Sequence, residues 1–242
     1  MYLFCIYNNI NRVITILCFY VSMEFVEENE KYDVIISNST EYPGHVIEKW
    51  TRQGHLHRVG KPALMVRDEH GIEVLSQFYS WGRLHRDDGP ASVLISGTTR
   101  CAEWYAWGVR SRLDGPAIIH QNINSGVVML ERYIYENQIH RTRGPAFTYR
   151  NSRSGQVLHE LFYKRGTLHR LKGPASIEYD QSSGSVISTS YYKNGLLHRD
   201  RGLPAVQKFD AVSGEEFEKY YYVNGVEQPN LDHVKPEKPS PD

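Results

Sequence analysis

The sequence is poor in most of what would announce chemistry. It holds three cysteines in 242 residues (Cys5, Cys18, Cys101), too few for a disulfide framework and without zinc-ligand spacing. Its 28 Lys and Arg are cancelled by 28 Asp and Glu. That removes the positive excess a general grip on nucleic acid or on an anionic membrane requires. There is no Gly-rich phosphate loop, no G-x-S-x-G elbow and no H-E-x-x-H pair. No apolar run reaches the roughly 20 residues of a membrane span. These gaps point away from an enzyme, a cofactor and a resident metal, and make nucleic acid an unlikely partner. With 40% hydrophobic and 23% charged residues the chain is still globular in composition.

What is there is periodic. Proline followed by alanine or its equivalent occurs at Pro62, Pro90, Pro116, Pro145, Pro174 and Pro204, separated by 28, 26, 29, 29 and 30 residues. Upstream of each lies a His-Arg pair: His57-Arg58, His85-Arg86, His140-Arg141, His169-Arg170 and His198-Arg199, with Ser111 before Arg112. The clearest copies are Gly82-Arg-Leu-His-Arg-Asp-Asp-Gly-Pro-Ala91 and Gly166-Thr-Leu-His-Arg-Leu-Lys-Gly-Pro-Ala175. The unit reads G-x-L-H-R-x-x-G-P-A.

The glycines divide into three series. One opens the motif: Gly54, Gly82, Gly108, Gly166, Gly195 and Gly225, with Asn137 in the seventh place. A second precedes each opener by 10 or 11 residues: Gly44, Gly71, Gly97, Gly126, Gly155, Gly184 and Gly214. The third is the glycine of Gly-Pro or its neighbour: Gly60, Gly89, Gly115, Gly144, Gly173 and Gly202. Together they account for all 19 glycines. Asn137 is informative, because asparagine tolerates positive φ better than other side-chain-bearing residues. The opener is therefore expected to be a left-handed turn residue.

No stretch of the array carries a helical apolar stripe free of glycine and proline. Short strands between evenly spaced turns are the all-β signal. The expected fold is all-β: an elongated array of antiparallel β-hairpin repeats, six to seven units of 28–29 residues. Two strands per unit give roughly 10 Å of advance per repeat. Aromatic pairs recur before each opener: Phe78-Tyr79, Trp104-Tyr105, Tyr133-Ile134, Phe162-Tyr163, Tyr191-Tyr192 and Tyr221-Tyr222, with Trp50 in the first copy. Neighbours on a strand face opposite ways, so an aromatic ladder is expected on each face, structural first and a ligand-stacking groove second.

The ends differ from the array. Residues 1–22 form an apolar extension, for which three readings stand: a start that belongs at Met23, a secretory or anchoring signal, or a packed segment. Residues 23–228 form the array. Residues 229–242, with four of the 11 prolines, read as a disordered tail. A cytoplasmic location follows, or a secreted or anchored one if residues 1–22 are a signal.

The motif W/F-Y-x-x-G-x-L-H-R-x-x-G-P-A resembles a divergent form of the MORN-type repeat, over about residues 44–228. It departs from the usual MORN spacing by carrying His-Arg and Gly-Pro-Ala in its second half. Arrays of this kind occur in large DNA viruses, phages and bacteria. The resemblance implies a repeat scaffold with protein or lipid-headgroup partners, no catalytic residues and, for a viral chain, the host cytoplasm.

Two functions stand side by side. One is a non-catalytic scaffold that docks an unidentified protein along its sheet. The other is an anion or anionic lipid-headgroup site made of the stripe His57, Arg58, His85, Arg86, Arg112, His140, Arg141, His169, Arg170, His198 and Arg199. The structural alternative for the stripe is that each histidine bonds a backbone group in the turn before Gly-Pro. Each arginine would then pair with a carboxylate such as Asp87, Asp88, Asp114 or Asp200, or with turn carbonyls. The array ends are open sheet edges, which allows oligomerisation unless segments such as Lys31–Ser37 cover them.

Overall fold

The structure is a computed structural model, which describes residues 20–27 and 30–229. It is all-β, with no helix among the described residues. The chain divides into two compact units, Met1–Arg110 and Ser111–Asp242.

The first unit contains β1 (Tyr20–Glu27), β2 (Glu30–Asn38), β3 (Val46–Arg52), β4 (His55–Leu56), β5 (Leu64–Arg67), β6 (Glu73–Gln77), β7 (Tyr79–Ser80), β8 (Arg83–Leu84), β9 (Ser92–Ser96), β10 (Thr99–Glu103), β11 (Tyr105–Ala106) and β12 (Val109–Arg110). The second contains β13 (Ile118–Asn122), β14 (Val128–Arg132), β15 (Ile134–Tyr135), β16 (Gln138–Ile139), β17 (Phe147–Arg150), β18 (Val157–Leu161), β19 (Tyr163–Lys164), β20 (Thr167–Leu168), β21 (Ser176–Tyr179), β22 (Val186–Ser190), β23 (Tyr192–Lys193), β24 (Leu196–Leu197), β25 (Val206–Phe209), β26 (Glu216–Val223) and β27 (Val226–Gln228).

Within each unit the longer strands pair antiparallel, each with the next. The first sheet runs β1-β2-β3-β5-β6-β9-β10. The second runs β13-β14-β17-β18-β21-β22-β25-β26. The expected two sheet strands per repeat are present. The rest of the repeat folds back as a second, smaller hairpin outside the main sheet, as in β19–β20, where Tyr163 faces Leu168. The cause is local: the opener turn reverses the chain two residues after the strand leaves the sheet.

That turn has two consecutive left-handed residues, the type I′ geometry that matches strand twist. Gly166 has φ 79° and Asn137, standing in for glycine, 62°. The residue before the opener is left-handed too: Gln53, Trp81, Trp107, Glu136, Arg165, Asn194 and Asn224 lie between φ 48° and 52°. The sequence signals this first position only where Asn-Gly occurs. In the second unit the other end of each sheet hairpin closes in a five-residue loop, whereas β9 and β10 of the first are joined by the two-residue turn Gly97-Thr98. In Asp180-Gln-Ser-Ser-Gly184 the Asp180 carboxylate accepts the N–H groups of Ser182 at 2.9 Å and Ser183 at 2.7 Å. Gly184 N–H donates to the Asp180 carbonyl at 3.0 Å. Loops opened by Asn122, Asn151 and Asp210 repeat this. The Ser182 hydroxyl, with the Ser183 N–H and hydroxyl, holds the Asp180 carboxyl below the usual carboxylate range, and the N–H groups of Ser213 and Val212 do the same for Asp210.

The sheet is one layer thick, so few side chains are fully covered. The alanines of the motif are the exception: Ala63, Ala91, Ala117, Ala146, Ala175 and Ala205 are all 0% exposed. Each bridges two repeats. Ala175 accepts from Phe162 N–H at 2.7 Å and donates to the Ser190 carbonyl at 2.8 Å. A larger residue would have no room there. An apolar cluster, Tyr32, Val34, Trp50, Ala63 and Met65, lies in the first unit.

The N-terminal assignments change in detail. Lys31–Ser37 lies inside β2, between β1 and β3, so it covers β3 and is itself covered. The boundary at residue 22 falls inside β1. The rest of the apolar extension, residues 1–19, and residues 230–242 of the tail lie outside the described residues.

A Cβ at Gly166 would meet nothing within 4 Å, so its cost is backbone strain alone. Gly166→Val should lower stability by more than about 1 kcal/mol. Arg165→Asn, at the other left-handed position, should raise it by about 0.5 kcal/mol. Urea denaturation of both checks this, and an unchanged midpoint for Gly166→Val would refute the turn assignment.

Candidate functional site

The stripe residues come together repeat by repeat, and they point into the fold. At Arg58, Arg86, Arg141, Arg170 and Arg199 the guanidinium lies on the first aromatic of its own repeat. The distances to the ring centroid are 3.4 Å for Arg58 on Trp50, 4.0 Å for Arg86 on Phe78, 3.7 Å for Arg141 on Tyr133, 3.7 Å for Arg170 on Phe162 and 3.8 Å for Arg199 on Tyr191. Its Nη1 donates to the prolyl carbonyl four or five residues on, at 3.0 Å for Arg141 to Pro145 and 2.9 Å for Arg199 to Pro204. The Gly-Pro turn closes over the guanidinium. A Cβ on Gly115 would sit 2.9 Å from Arg112 Cζ. This glycine is required by the close approach of the arginine, a reason distinct from that at the opener.

The expected carboxylate partners are found in two repeats: Arg86 pairs with Asp88 at 2.7 Å and Arg112 with Asp114 at 2.9 Å. Asp87 and Asp200 lie instead by His85 and His198, at 3.5 Å and 2.9 Å. Arg58 pairs with Glu27 on β1 at 2.8 Å. Hydrogen bonds from Arg58 and Lys61 hold the Glu27 carboxyl down at about 2.

The histidines bond backbone, but in the next repeat and not in the turn before Gly-Pro. His57 Nδ1 accepts from Trp81 N–H at 3.3 Å, His140 from Arg165 at 3.4 Å, His169 from Asn194 at 3.2 Å and His198 from Asn224 at 3.1 Å. Ser111 substitutes with its hydroxyl, which accepts from Glu136 N–H at 3.4 Å. Nδ1 accepts only when unprotonated, so the proton of the neutral ring sits on Nε2. His85 stacks on Trp107 at 4.1 Å instead, and its Nδ1 is buried without a hydrogen-bond partner.

The aromatics do not build a ladder of rings on each face. Among the described residues Phe78, Tyr133, Phe162 and Tyr191 stack on arginines and not on one another. The second ring, at Tyr79, Tyr105, Tyr163, Tyr192 and Tyr222, is half-buried, and its carbonyl accepts the N–H of the preceding repeat's arginine. Trp104 and Tyr221 hold the first-ring position in their repeats.

A second feature was not anticipated from the sequence. The arginine-bearing face of the first unit carries a cleft of about 570 Å³. Its floor is the row Met65, Ser76 and Val93, direct neighbours across β5, β6 and β9. Val74 and Ile95 flank it, Phe78 and Arg86 form one rim, Arg100 lies at the far side, and Arg58, Lys61 and Glu73 also line it. The equivalent row of the second unit is Ile119, Glu131, Thr148, Glu160, Ile177, Thr189, Gln207 and Lys219. There Glu131 pairs with Arg150 at 2.6 Å and Glu160 accepts from Tyr179 at 2.9 Å; burial, helped by this bond, pushes the Tyr179 phenol up to about 12. In the first unit, from Met65 onward, the row is uncharged, and Ser76 is too small to fill it. Arg100 has no ion-pair partner among the described residues. The signal was present in the sequence as Ser76 and Ala102, two residues before Phe78 and Trp104, where other repeats place Glu131 and Glu160.

Among the described residues no group of three or more His, Cys, Asp or Glu could hold a metal ion. Neither a protein-family model nor a curated protein matches the chain.

Two outcomes follow. Arg170→Lys keeps the charge but not the planar stack or the fork, and should cost about 1 kcal/mol. An unchanged melting temperature would refute the sandwich. Burial, aided by Arg52, holds His57 below its ordinary value. Its folded value lies below its unfolded one, so its contribution is complete above about pH 6.5 and is lost as pH falls through the folded value. Urea midpoints taken between about pH 7.5 and pH 5 should fall less in His57→Gln than in the unsubstituted chain.

Proposed function

We propose that this protein is a non-catalytic repeat scaffold that docks a protein partner on its sheet, with the cleft of the first unit as the contact. The observation that carries it is the break in the repeat: where the second unit sets Glu131 and Glu160 in the row, the first leaves an uncharged floor of Met65, Ser76 and Val93, with Arg100, which has no ion-pair partner among the described residues, at its border. Hollows of this size with an apolar floor and a few polar groups at the rim are what ligands fill. An apolar side chain followed by a carboxylate fits Met65, Val93 and Arg100. The resemblance of the motif to MORN-type repeats points the same way.

A second reading, anionic headgroup binding, rests on different residues from the motif arginines. In the last three copies the residue before Gly-Pro, or its counterpart, is Arg143, Lys172 and Arg201, where the preceding copies have Asp88 and Asp114. Two of these loops expose a leucine, Leu171 at 84% beside Lys172 and Leu203 at 45% near Arg201. Cations beside protruding leucines suit a lipid interface.

One pair of experiments separates them. Partner capture by the tagged full chain should be abolished by Ser76→Trp, which fills the cleft, and be unaffected by Leu171→Glu. Flotation with phosphatidylserine vesicles tests the second reading with the same two variants. Capture that survives Ser76→Trp would overturn the scaffold reading through this cleft.

A further inference from the structure

The first unit begins with an open edge. β1 pairs with β2 along all eight residues, from Tyr20 opposite Ser37 to Glu27 opposite Glu30. Its other edge meets no strand among the described residues. Folded proteins guard such edges with lysine, proline, bulges or short length. β1 has none of these guards: it is eight residues long, in unbroken register, with no lysine, arginine or proline. Tyr20, Val21, Met23, Phe25 and Val26 are all exposed, Tyr20 at 68% and Val26 at 63%. Its two charges are Glu27, held by Arg58 and Lys61, and Glu24, which has no ion-pair partner among the described residues.

We propose that this edge pairs antiparallel with β1 of a second copy of the chain, in a register centred on Met23. The register follows from symmetry. A two-fold axis perpendicular to a sheet preserves its faces, and residues paired across strands share a face. Paired positions must therefore be both odd or both even. Centring on Glu24 would set Glu24 against its own copy, like charge on like. Centring on Ser22 would shorten the overlap to Tyr20–Glu24. Centring on Met23 pairs all of Tyr20–Val26. On the face that carries the Phe25–Trp50 contact it sets Val21 opposite Phe25 and Met23 opposite Met23. On the other face it sets Tyr20 opposite Val26 and Ser22 opposite Glu24. Every exposed apolar side chain of β1 gains an apolar partner, and no like charges meet. The self-complementarity of the strand is what selects a second copy as occupant. The contact is small beside a standard interface, so dissociation in the micromolar range is expected.

Sedimentation equilibrium of the full chain from about 1 to 200 µM tests it. A monomer–dimer equilibrium is expected. Met23→Lys sets two cations on the axis and should weaken it about tenfold or more. Ser22→Lys sets a cation opposite Glu24 of the second copy and should tighten it, a change of sign that loss of fold cannot imitate. A full chain monomeric throughout would overturn the proposal. So would a dimer indifferent to both substitutions. A dimer that appears only when residues 1–19 are removed would do the same, since it would assign the edge to the chain's own N-terminal segment.

Discussion

The guanidinium held between an aromatic ring and a Gly-Pro turn is the interaction on which the rest of this structure depends. A sheet one layer thick has no facing layer to cover its aromatic residues, and burial is the main source of stability. Here each repeat covers its own ring. Arg170 lies 3.7 Å from the Phe162 centroid, and its Nη1 reaches the Pro174 carbonyl at 3.1 Å. The planar cation takes the ring face, the proline presents a carbonyl whose orientation is constrained by its fixed φ, and the glycine leaves space for the guanidinium. The alanine that follows drops into the crowded junction between strands. Arginine, glycine, proline and alanine are thus four parts of one packing solution.

Coupling between repeats is carried by backbone groups that the motif leaves exposed. Gly195 N–H donates to the Leu168 carbonyl at 2.8 Å, and His169 Nδ1 accepts from the neighbouring Asn194. Within each unit each longer strand pairs with the next longer strand along the chain, the arrangement that gives quasi-one-dimensional stability. The coupling tolerates substitution where the chemistry survives. Ser111 keeps an acceptor and Asn137 keeps the left-handed backbone. Trp81 and Trp107 occupy a left-handed position that costs a bulky residue about 1 kcal/mol. Their rings offset this by stacking on His57 and His85 at 4.8 Å and 4.1 Å.

On so uniform a frame, individuality lies in what the frame leaves free. The motif fixes ring, arginine, turn and alanine, but not the residue two before the ring nor the residues between Arg and Gly-Pro. The first freedom produces the charged rows of the second unit and the hollow over Ser76 in the first. The second produces acidic loops at Asp88 and Asp114 and basic ones at Arg143 and Lys172. Neutral overall charge conceals this local sorting.

The sequence by itself determined the all-β class, the two sheet strands per repeat and the left-handed opener, because turn geometry is local and the glycine series reports it directly. It also exposed every motif residue, Asn137 included. Tertiary structure alone decided what those residues bind. The histidine acceptor meets an N–H about 25 residues away, and no local spacing specifies that distance in space. The small hairpin, the arginine's choice of ring over solvent and the cleft all arise from one repeat lying against the next. Even the opening scarcity of cysteine and of net charge takes its meaning there: cohesion comes from stacked cations and backbone bonds repeated along the array, which need neither a covalent staple nor an excess of either sign.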